Sequence, residues 1–244
     1  MIKVGFNTLS ALLFLLFCGN IQVHAQIIKQ GKITYERKTN LFKQFDDERM
    51  KKFIKEENKI RVEKFVLNFN DSIALFQYVV PEVEDQLSWA TWKNTVYTNT
   101  AANSRMVFMD MFGTALTIKD KTVERAWKIT DKTRKIAGFE CTRAIWEKND
   151  STRIYAWFTT DIAPSIGPES VRGLPGAILG LATEDGGIVY FATNVERIEP
   201  KPEQLEVPKK KGKEFTDAEL REELTNRLKN QPMGARIIEG VFFW

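Results

Sequence analysis

The sequence has 244 residues, of which 43% are hydrophobic and 11% aromatic, and its formal net charge is +4. This length and composition fit one domain with a sizeable hydrophobic core. The near balance of charge excludes the strongly basic surface that is typical of nucleic-acid-binding proteins, so no nucleic-acid partner is predicted.

The first residues have the pattern of a secretory signal peptide. Lys3 precedes an apolar run over residues 9–18, and Val23-His24-Ala25 provides a small-residue cleavage site. The apolar run is shorter than the roughly 20 residues needed to cross a bilayer. We therefore predict a signal peptide over residues 1–25 and no transmembrane span in the mature chain. The mature protein is expected in the periplasm, at the outer membrane or outside the cell.

Cleavage after Ala25 removes the single histidine and leaves Cys141 as the only cysteine. Ser-His-Asp and Cys-His catalysis need an imidazole base, and zinc sites need histidine or several cysteines. The sequence also lacks Ser-x-x-Lys, Gly-x-Ser-x-Gly and glycine-rich phosphate-loop motifs. We predict a non-enzymatic protein without catalytic residues, cofactor or metal. Cys141 is expected to be buried as a small hydrophobic residue rather than to react.

From residue 31 onward, short runs of β-branched and aromatic residues alternate with turn residues. A strand is predicted over 31–39, a short helix within 41–57, and further short strands between 89 and 130. Hairpins are predicted over 59–80, 139–160 and 177–198, with turns at Asn70-Asp71, Asn149-Asp150 and residues 184–187. The pattern predicts a mainly β fold, an antiparallel meander that forms a curved sheet, a sandwich or a partly open barrel.

The C-terminal part is predicted to add one helix to this single β-rich domain of residues 26–244. Thr216 and Glu219 form a capping box, and Phe215 can pack on Leu220, so the helix should cover about 216–229. The apolar tail "RIIEGVFFW" follows. It is expected to be a last strand or a tail that packs on the core.

The stretch "VRGLPGAILGL" (171–181) predicts a turn followed by a buried strand. Pro175 and Gly176 fit the two central positions of a type II turn, because proline fixes φ and glycine tolerates a positive φ. The apolar run after them suits a strand that is buried on both faces. Gly180 within that run predicts a β-bulge or a close neighbour.

About sixteen residues before this strand have neither helix nor strand character, and loops of that length are often functional. The loop is either a crossover between sheet edges, which the pattern favours, or a binding loop. Its charged members include Glu169. The candidate binding residues are Asp161, Pro164, Gly167, Pro168, Arg172, Gly173, Leu174, Pro175 and Gly176.

The region 153–198 resembles the signature region of the GLPGLI family, secreted proteins of Bacteroidetes-type bacteria. Gly173-Leu174-Pro175-Gly176 and Ile178 match the motif, and Ala177 replaces its second leucine. Residues 132–144 and 65–78 are similar to the segments that come before it. The resemblance implies a signal peptide, an envelope or extracellular location and a β-rich domain, but it supplies no catalytic or binding residues.

Three functions are compatible with these observations. The favoured one is a non-enzymatic binding or accessory protein of the cell envelope, with an apolar ligand or a partner protein. The second is a carbohydrate- or peptide-binding module that uses exposed Trp89 and Trp92. The third is a hydrolase that uses two carboxylates about 5–9.5 Å apart, for which Asp161 and Glu184 are the candidates.

Overall fold

The structure is a computed structural model that describes residues 27–45, 47–83, 86–209 and 212–244. The predicted signal peptide lies outside these residues. The strands are β1 (Gly31–Asn40), β2 (Ile60–Phe69), β3 (Ile73–Tyr78), β4 (Thr95–Asn99), β5 (Ser104–Met111), β6 (Thr114–Lys121), β7 (Lys128–Ile136), β8 (Phe139–Asn149), β9 (Thr152–Thr159), β10 (Ala177–Thr183), β11 (Ile188–Glu196) and β12 (Lys213–Phe215). The α-helices are α1 (Leu41–Gln44), α2 (Glu48–Phe53), α3 (Asp217–Leu228) and α4 (Gly234–Val241).

The twelve strands form one open sheet in the order β12-β6-β5-β4-β3-β2-β1-β11-β10-β9-β8-β7. All neighbours are antiparallel except β12, which pairs with β6 in parallel. The predicted mainly β, antiparallel meander is confirmed, with a single sheet rather than a sandwich. The three predicted hairpins are β2–β3, β8–β9 and β10–β11. In the first, the Asn70 side chain accepts hydrogen bonds from the backbone of Ser72 and Ile73, which fixes the turn.

The connection between β6 and β7 shows that the sheet curls strongly. These strands are ten positions apart in the sheet, and a flat sheet would separate them by about 48 Å. Residues 122–127, here called the crossing segment, join them. A connection of this length spans at most about 25 Å. The two ends of the sheet therefore approach each other, and the crossing segment bridges the remaining opening.

The C-terminal helices lie at the same opening. Helix α3 begins with the predicted capping box of Thr216 and Glu219 and packs against β6 and β12. After α4, the carbonyl of Phe243 accepts a hydrogen bond of 2.5 Å from Lys148 Nζ on β8. The tail does pack on the core, as predicted, but its apolar residues form the additional helix α4 rather than a strand. Packing of α4 against α3 stabilises this helix.

The hydrophobic core lies on the inner face of the sheet, the face that carries Tyr35, Phe65 and Tyr190. The rings of Phe65 and Phe76 stack with centroids 4.9 Å apart. A smaller cluster under α1 and α2 includes Leu41, Phe45 and Ile54. The short helix predicted within residues 41–57 occurs as the two very short helices α1 and α2, whose apolar side chains contribute to this cluster. Among the described residues, no helix is both long and apolar enough to cross a bilayer.

Cys141 is fully buried, as predicted. Burial raises the pKa of its thiol to about 12. The thiol therefore remains protonated near neutral pH and behaves as a small hydrophobic group rather than as a nucleophile.

Candidate functional site

The loop between β9 and β10, residues 160–176 and here called the motif loop, fills the interior of the curled sheet. Because β9 and β10 are adjacent antiparallel strands, a short turn would have joined them. The interpretation of this loop as a crossover between sheet edges is therefore wrong. Its 3₁₀ turn, Pro168–Ser170, packs against β3 and β4 instead. The extra length fills the space that the sheet encloses.

Most of the predicted binding residues of this loop are packing residues. Asp161 and Arg172 are half-buried, and Gly173 and Pro175 are exposed. The buried members are Pro164, Gly167, Pro168, Leu174 and Gly176. The structure thus brings the nine residues together on one loop, but it turns most of them toward the protein interior.

The turn at Pro175 differs from the predicted type II turn. Gly176 has the expected positive φ of 130°, but its N–H donates to the carbonyl of Leu174 and closes a three-residue γ-turn. The N–H of Ala177 donates to Ile162 instead. A Cβ atom on Gly176 would lie 2.0 Å from the carbonyl oxygen of Thr159. Glycine is therefore required here for its conformation and for lack of space.

The strand that follows the turn has the predicted features. Every residue of β10 is buried, and its pairing with β9 shifts between Ile178 and Gly180, which is the predicted bulge. A Cβ atom on Gly180 would lie 2.9 Å from Cδ1 of Ile136. Gly180 thus combines the bulge with the close neighbour.

Arg172 ties the motif loop to the crossing segment. Its Nη1 donates to Asn103 Oδ1 at 3.2 Å and to Thr122 Oγ1 at 3.4 Å. Its carbonyl accepts from Trp127 Nε1 at 3.0 Å. The predicted binding residue Arg172 therefore connects the motif loop to neighbouring parts of the fold.

A buried polar network lies under the motif loop, with Arg37 at its centre. Arg37 donates from Nε and Nη2 to Glu63 Oε2, at 3.1 and 2.5 Å, and from Nη1 to the Tyr190 hydroxyl at 3.1 Å. Tyr190 donates in turn to Glu169 Oε1 at 2.9 Å. Asn94 donates to Glu169 Oε2 at 3.3 Å. Every member is at least nine-tenths buried, so a charge inside it depends on its partners.

The pKa values of the two carboxylates of this network, Glu63 and Glu169, are shifted from their ordinary value in opposite directions. Burial alone would raise the pKa of Glu63, but the charge of Arg37 and hydrogen bonds from Arg37, Arg61 and Thr91 lower it below its usual value. Burial dominates at Glu169 and raises its pKa, although Arg37, Tyr190 and Asn94 oppose the shift. Glu63 is therefore the firm counter-ion of Arg37.

The network holds a strained part of the motif loop in place. Glu169 and Ser170 have positive φ angles of 53° and 60°, which are uncommon for residues other than glycine. The hydrogen bonds to the Glu169 carboxylate fix this conformation. The ring of Trp244 packs on Tyr190 with centroids 5.9 Å apart. Glu169 is only 4% exposed. The network therefore fixes the conformation of the motif loop and is closed to a substrate.

Sequence reasoning identified Glu169 as a charged loop residue but missed its partners. The alternation of β1 contained a usable signal. Ile33, Tyr35 and Arg37 occupy equivalent inward positions of this strand, and all three are buried. A charged residue at an inward position of an apolar strand face predicts a buried partner of opposite charge.

The structure separates the other predicted pairs. Trp89 is 55% exposed and its ring contacts Phe45 of the smaller cluster, whereas Trp92 packs against the main core. The two rings thus pack on different clusters, and the platform stays a prediction. Asp161 and Glu184 lie at opposite ends of the β9–β10 hairpin, a separation of about 20 Å at 3.3 Å per residue. That distance is too long for the predicted carboxylate pair.

An open cleft lies between β8 and the C-terminal helices. This C-terminal cleft has a volume of about 430 Å³. Its walls combine apolar and charged groups, and they include Lys148, Arg221, Ala235, Ile238, Glu239 and Phe242. The guanidinium of Arg221 lies 4.2 Å from the ring centroid of Phe242. Sequence reasoning missed this site because helix α4, which forms one wall, was not predicted.

Lys148 is the unusual titratable group of the cleft. Burial lowers its pKa to about 8, with further lowering by the charges of Arg125 and Arg221 and partial compensation by Glu239. Its Nζ lies 3.9 Å from the ring centroid of Phe243. A partly desolvated cation beside aromatic and aliphatic side chains is suited to an amphipathic, negatively charged ligand.

Comparison with known proteins gives a partial family match and a shared fold. Residues 146–180 match the model of a family described as "Protein of unknown function (Porph_ging)", and this range contains β9 and the motif loop. No curated protein matches the chain. The match is compatible with the GLPGLI resemblance of the same region, which stays a prediction.

Two solved structures of PNGF-II are similar in fold. The crystal form in space group C2 is 20% identical, with a TM-score of 0.53 over 77% of this chain and 31% of the other. A second crystal form is 19% identical, with a TM-score of 0.50 over 77% and 32%. This chain thus spans about a third of the PNGF-II chain. An uncharacterized conserved protein from Thermus thermophilus is 7% identical, with a TM-score of 0.42 over 85% and 99%.

Proposed function

We propose that this chain is a non-enzymatic binding protein of the cell envelope that holds an amphipathic ligand in the C-terminal cleft. The observation that carries the proposal is the composition of that cleft. Ala235, Ile238 and Phe242 from the last helix and tail line it with apolar groups, and Lys148 and Arg221 add two cations to the single carboxylate of Glu239. A concave site with a mainly apolar lining and a few placed charges is the usual form of a small-molecule binding site.

The arrangement of the remaining polar groups supports binding rather than catalysis. The buried network has no access for a substrate, since Glu63 and Glu169 are both 4% exposed. Lys148 has a pKa near 8, as a catalytic lysine can have, but its Nζ donates to the carbonyl of Phe243. It is therefore better placed to pair with an anion than to remove a proton from a substrate.

The proposed location rests on the sequence of the first 25 residues. Their charge, apolar run and cleavage site have the form of an export signal. An exported binding protein can present a ligand to the envelope without a catalytic step. The buried Cys141, the one cysteine that the predicted cleavage would leave, is compatible with an oxidising compartment, because it offers no accessible thiol for unwanted disulfides.

The proposal is tested by blocking the cleft and measuring ligand affinity. Decanoate and 1-decanol would be titrated into the wild-type protein and into Ala235→Trp, with isothermal titration calorimetry as the readout. Ala235 lines the cleft, so a tryptophan there should weaken binding of both probes at least tenfold. Ala218→Trp, on the exposed side of α3, is the matched control and should bind as the wild type does.

Two results would contradict the proposal. One is the absence of binding of either probe to the wild-type protein. The other is equal binding by wild-type protein and Ala235→Trp, which would place any ligand elsewhere. Native mass spectrometry of protein purified from its own cell envelope would then identify the molecule that the protein carries.

A further inference from the structure

Arg125 of the crossing segment is a buried cation, and two of its three side-chain nitrogens have no partner among the described residues. Its side chain is 8% exposed, and Nη1 donates to the carbonyl of Val123 at 3.0 Å. Its Nε and Nη2 have no hydrogen-bond partner among the described residues. The guanidinium lies 5.1 Å from the ring centroid of Trp146. Burying a charge without a counter-ion is costly, so this arrangement needs an explanation.

The charges near Arg125 increase this cost. Burial lowers the pKa of Arg125 to about 10, and the positive charge of Arg105 lowers it further. Arg105 itself pairs with Asp217 Oδ2 at 2.6 Å, and Asp217 Oδ1 makes no hydrogen bond within the described residues, to Arg125 or to any other donor. The charge of Arg125 also reaches Lys148 of the C-terminal cleft. The described residues therefore place several cations at this opening without a carboxylate for Arg125.

The two unused nitrogens have the geometry of an anion receptor. Nε–H and Nη2–H lie on one edge of the guanidinium and point the same way, which is the fork that matches the two oxygens of a carboxylate or phosphate. Arg37 uses the same two nitrogens for Glu63. At Arg125 this edge is enclosed, and a poorly hydrated site is where an added anion gains most from pairing.

The C-terminal cleft provides a place for the rest of such a ligand. Trp146 and Lys148 are two residues apart on β8, at most about 7 Å from each other, with a register shift between Glu147 and Asn149. Trp146 contacts Arg125, and Lys148 lines the cleft. Arg125 contacts Trp146 and its charge reaches Lys148, but Arg125 is not itself a lining residue of the cleft. A head group at Arg125 therefore requires the cleft to extend past Lys148 when the ligand binds.

We propose, building on the proposed function, that the ligand of the C-terminal cleft carries a carboxylate or phosphate head group and that Arg125 is its buried counter-charge. Lys148 assists at the cleft end. The same anionic chemistry could come from an amphiphile or from a free inorganic anion. The apolar walls of the cleft favour the amphiphile, because an inorganic anion would leave them in contact with water.

The decisive comparison uses wild-type protein and needs no variant. Decanoate and decyl phosphate should bind about ten- to a hundredfold more tightly than 1-decanol, since the three share a ten-carbon chain and differ in the charge of the head group. Inorganic phosphate at the same concentration should neither bind measurably nor displace decanoate. Isothermal titration calorimetry measures each affinity.

Two variants then assign the effect to Arg125. Arg125→Met keeps a long apolar side chain and should abolish the preference for decanoate over 1-decanol, while 1-decanol binds as before. Arg197→Met removes an exposed arginine and should keep the preference. The thermal midpoint of ligand-free Arg125→Met should equal or exceed that of the wild type, because an unpaired buried cation has been removed.

The outcomes separate this inference from the function on which it rests. Equal binding of decanoate and 1-decanol by wild-type protein, both weakened by Ala235→Trp, would keep the cleft as a binding site but overturn the role of Arg125. Undiminished decanoate preference in Arg125→Met would also overturn it. Displacement of decanoate by inorganic phosphate would overturn the amphiphile as ligand. Failure of all probes to bind wild-type protein would reject the proposed function itself.

Discussion

Arg37 on β1 and Arg125 on the crossing segment are both buried arginines, with exposures of 5% and 8%. Each uses Nη1 for a neutral oxygen, the Tyr190 hydroxyl in one case and the Val123 carbonyl in the other. They differ at the opposite edge. At Arg37 the Nε and Nη2 groups hold Glu63, and at Arg125 the same groups lack a partner within the described chain.

This difference separates a structural device from a candidate receptor. The charge of Arg37 is matched within the fold, and together with Tyr190 it holds Glu169 and the strained turn of the motif loop. The charge of Arg125 has no carboxylate partner within the described part of the chain, and it acts on the nearby cations Arg105 and Lys148. Burial by itself therefore does not identify a functional group. The completeness of its hydrogen bonding is more informative.

The largest expected effect comes from replacing each arginine in turn. Arg37→Met removes one of the two cations that hold Glu63, the other being Arg61, and it removes the cation nearest in the network to the buried Glu169. We expect it to lower the free energy of unfolding by about 3–5 kcal/mol. Arg125→Met removes an unpaired charge, so the free energy should change by less than about 1 kcal/mol or increase. Urea denaturation at pH 7 measures both. Equal losses in the two variants would contradict the distinction between the two sites.

The motif loop is the part of the Arg37 region that a backbone change should disrupt most. Gly176→Ala places a Cβ atom against the Thr159 carbonyl at φ 130°. Gly113→Ala is the matched control, since Gly113 has φ 82° and open space around it. The control should cost about 1–2 kcal/mol for the left-handed conformation alone, and Gly176→Ala roughly 2 kcal/mol more for displacing backbone. Similar melting temperatures for the two variants would be inconsistent with the close approach at Gly176.

The hydroxyl of Tyr190 connects Arg37 to Glu169. Its removal should lower the free energy of unfolding by less than the removal of Arg37 does. Tyr190→Phe leaves Glu169 Oε1 without its donor, with an expected loss of about 1–3 kcal/mol for an unsatisfied buried group. Tyr155→Phe is the control because Tyr155 donates to Glu184 at the exposed surface, at 2.7 Å. Its loss should stay below about 0.5 kcal/mol. Thermal unfolding measures the stability of both variants. Equal losses of stability in Tyr190→Phe and Tyr155→Phe would show that the buried network does not stabilise the protein.

The smallest effect concerns the pH dependence of Glu169. Its pKa in the folded protein is raised above the ordinary value of 4.5, so the folded state takes up a proton first as the pH falls. The stability of the wild type relative to Glu169→Gln should therefore increase as the pH decreases from that raised pKa to 4.5. At neutral pH the two proteins should differ by about 1 kcal/mol or less, because glutamine keeps an acceptor for Tyr190.

Denaturation of both proteins over a pH series measures this difference, and other titrating groups cancel in the comparison. Asn94 Oδ1 has no partner among the described residues. After rotation of the Asn94 side-chain amide, this oxygen can accept a hydrogen bond from the amide of the glutamine in Glu169→Gln. A difference that falls as the pH is lowered would mean that Arg37, rather than burial, controls Glu169.

The sequence predicted those features that depend on neighbouring residues. Turn residues at Asn70-Asp71 and Asn149-Asp150 placed two hairpins, and the box of Thr216 and Glu219 placed the start of α3. The positive φ of Gly176 was also predictable. These signals act within a few residues of the chain, so they survive without knowledge of the fold.

The candidate sites depended on contacts between distant residues. Arg37 and Tyr190 are 153 positions apart in sequence, and Asn94 and Glu169 are 75 apart. The role of the motif loop was mispredicted because nothing local showed that β9 and β10 are neighbours. No local pattern in the sequence indicates that Arg125 is buried, because residues 122–127 cross the opening only once the sheet has curled.

The amino-acid sequence by itself determined the strands, the turns, the capped helix and the β-rich class, because these follow from backbone preferences and from the alternation of apolar residues. Tertiary structure alone decided which buried charges have partners. Pairing of a charge requires an opposite group within a few ångströms, and the curl of the sheet sets that distance. It gave Arg37 its glutamate and left Nε and Nη2 of Arg125 without a partner among the residues that the structure describes.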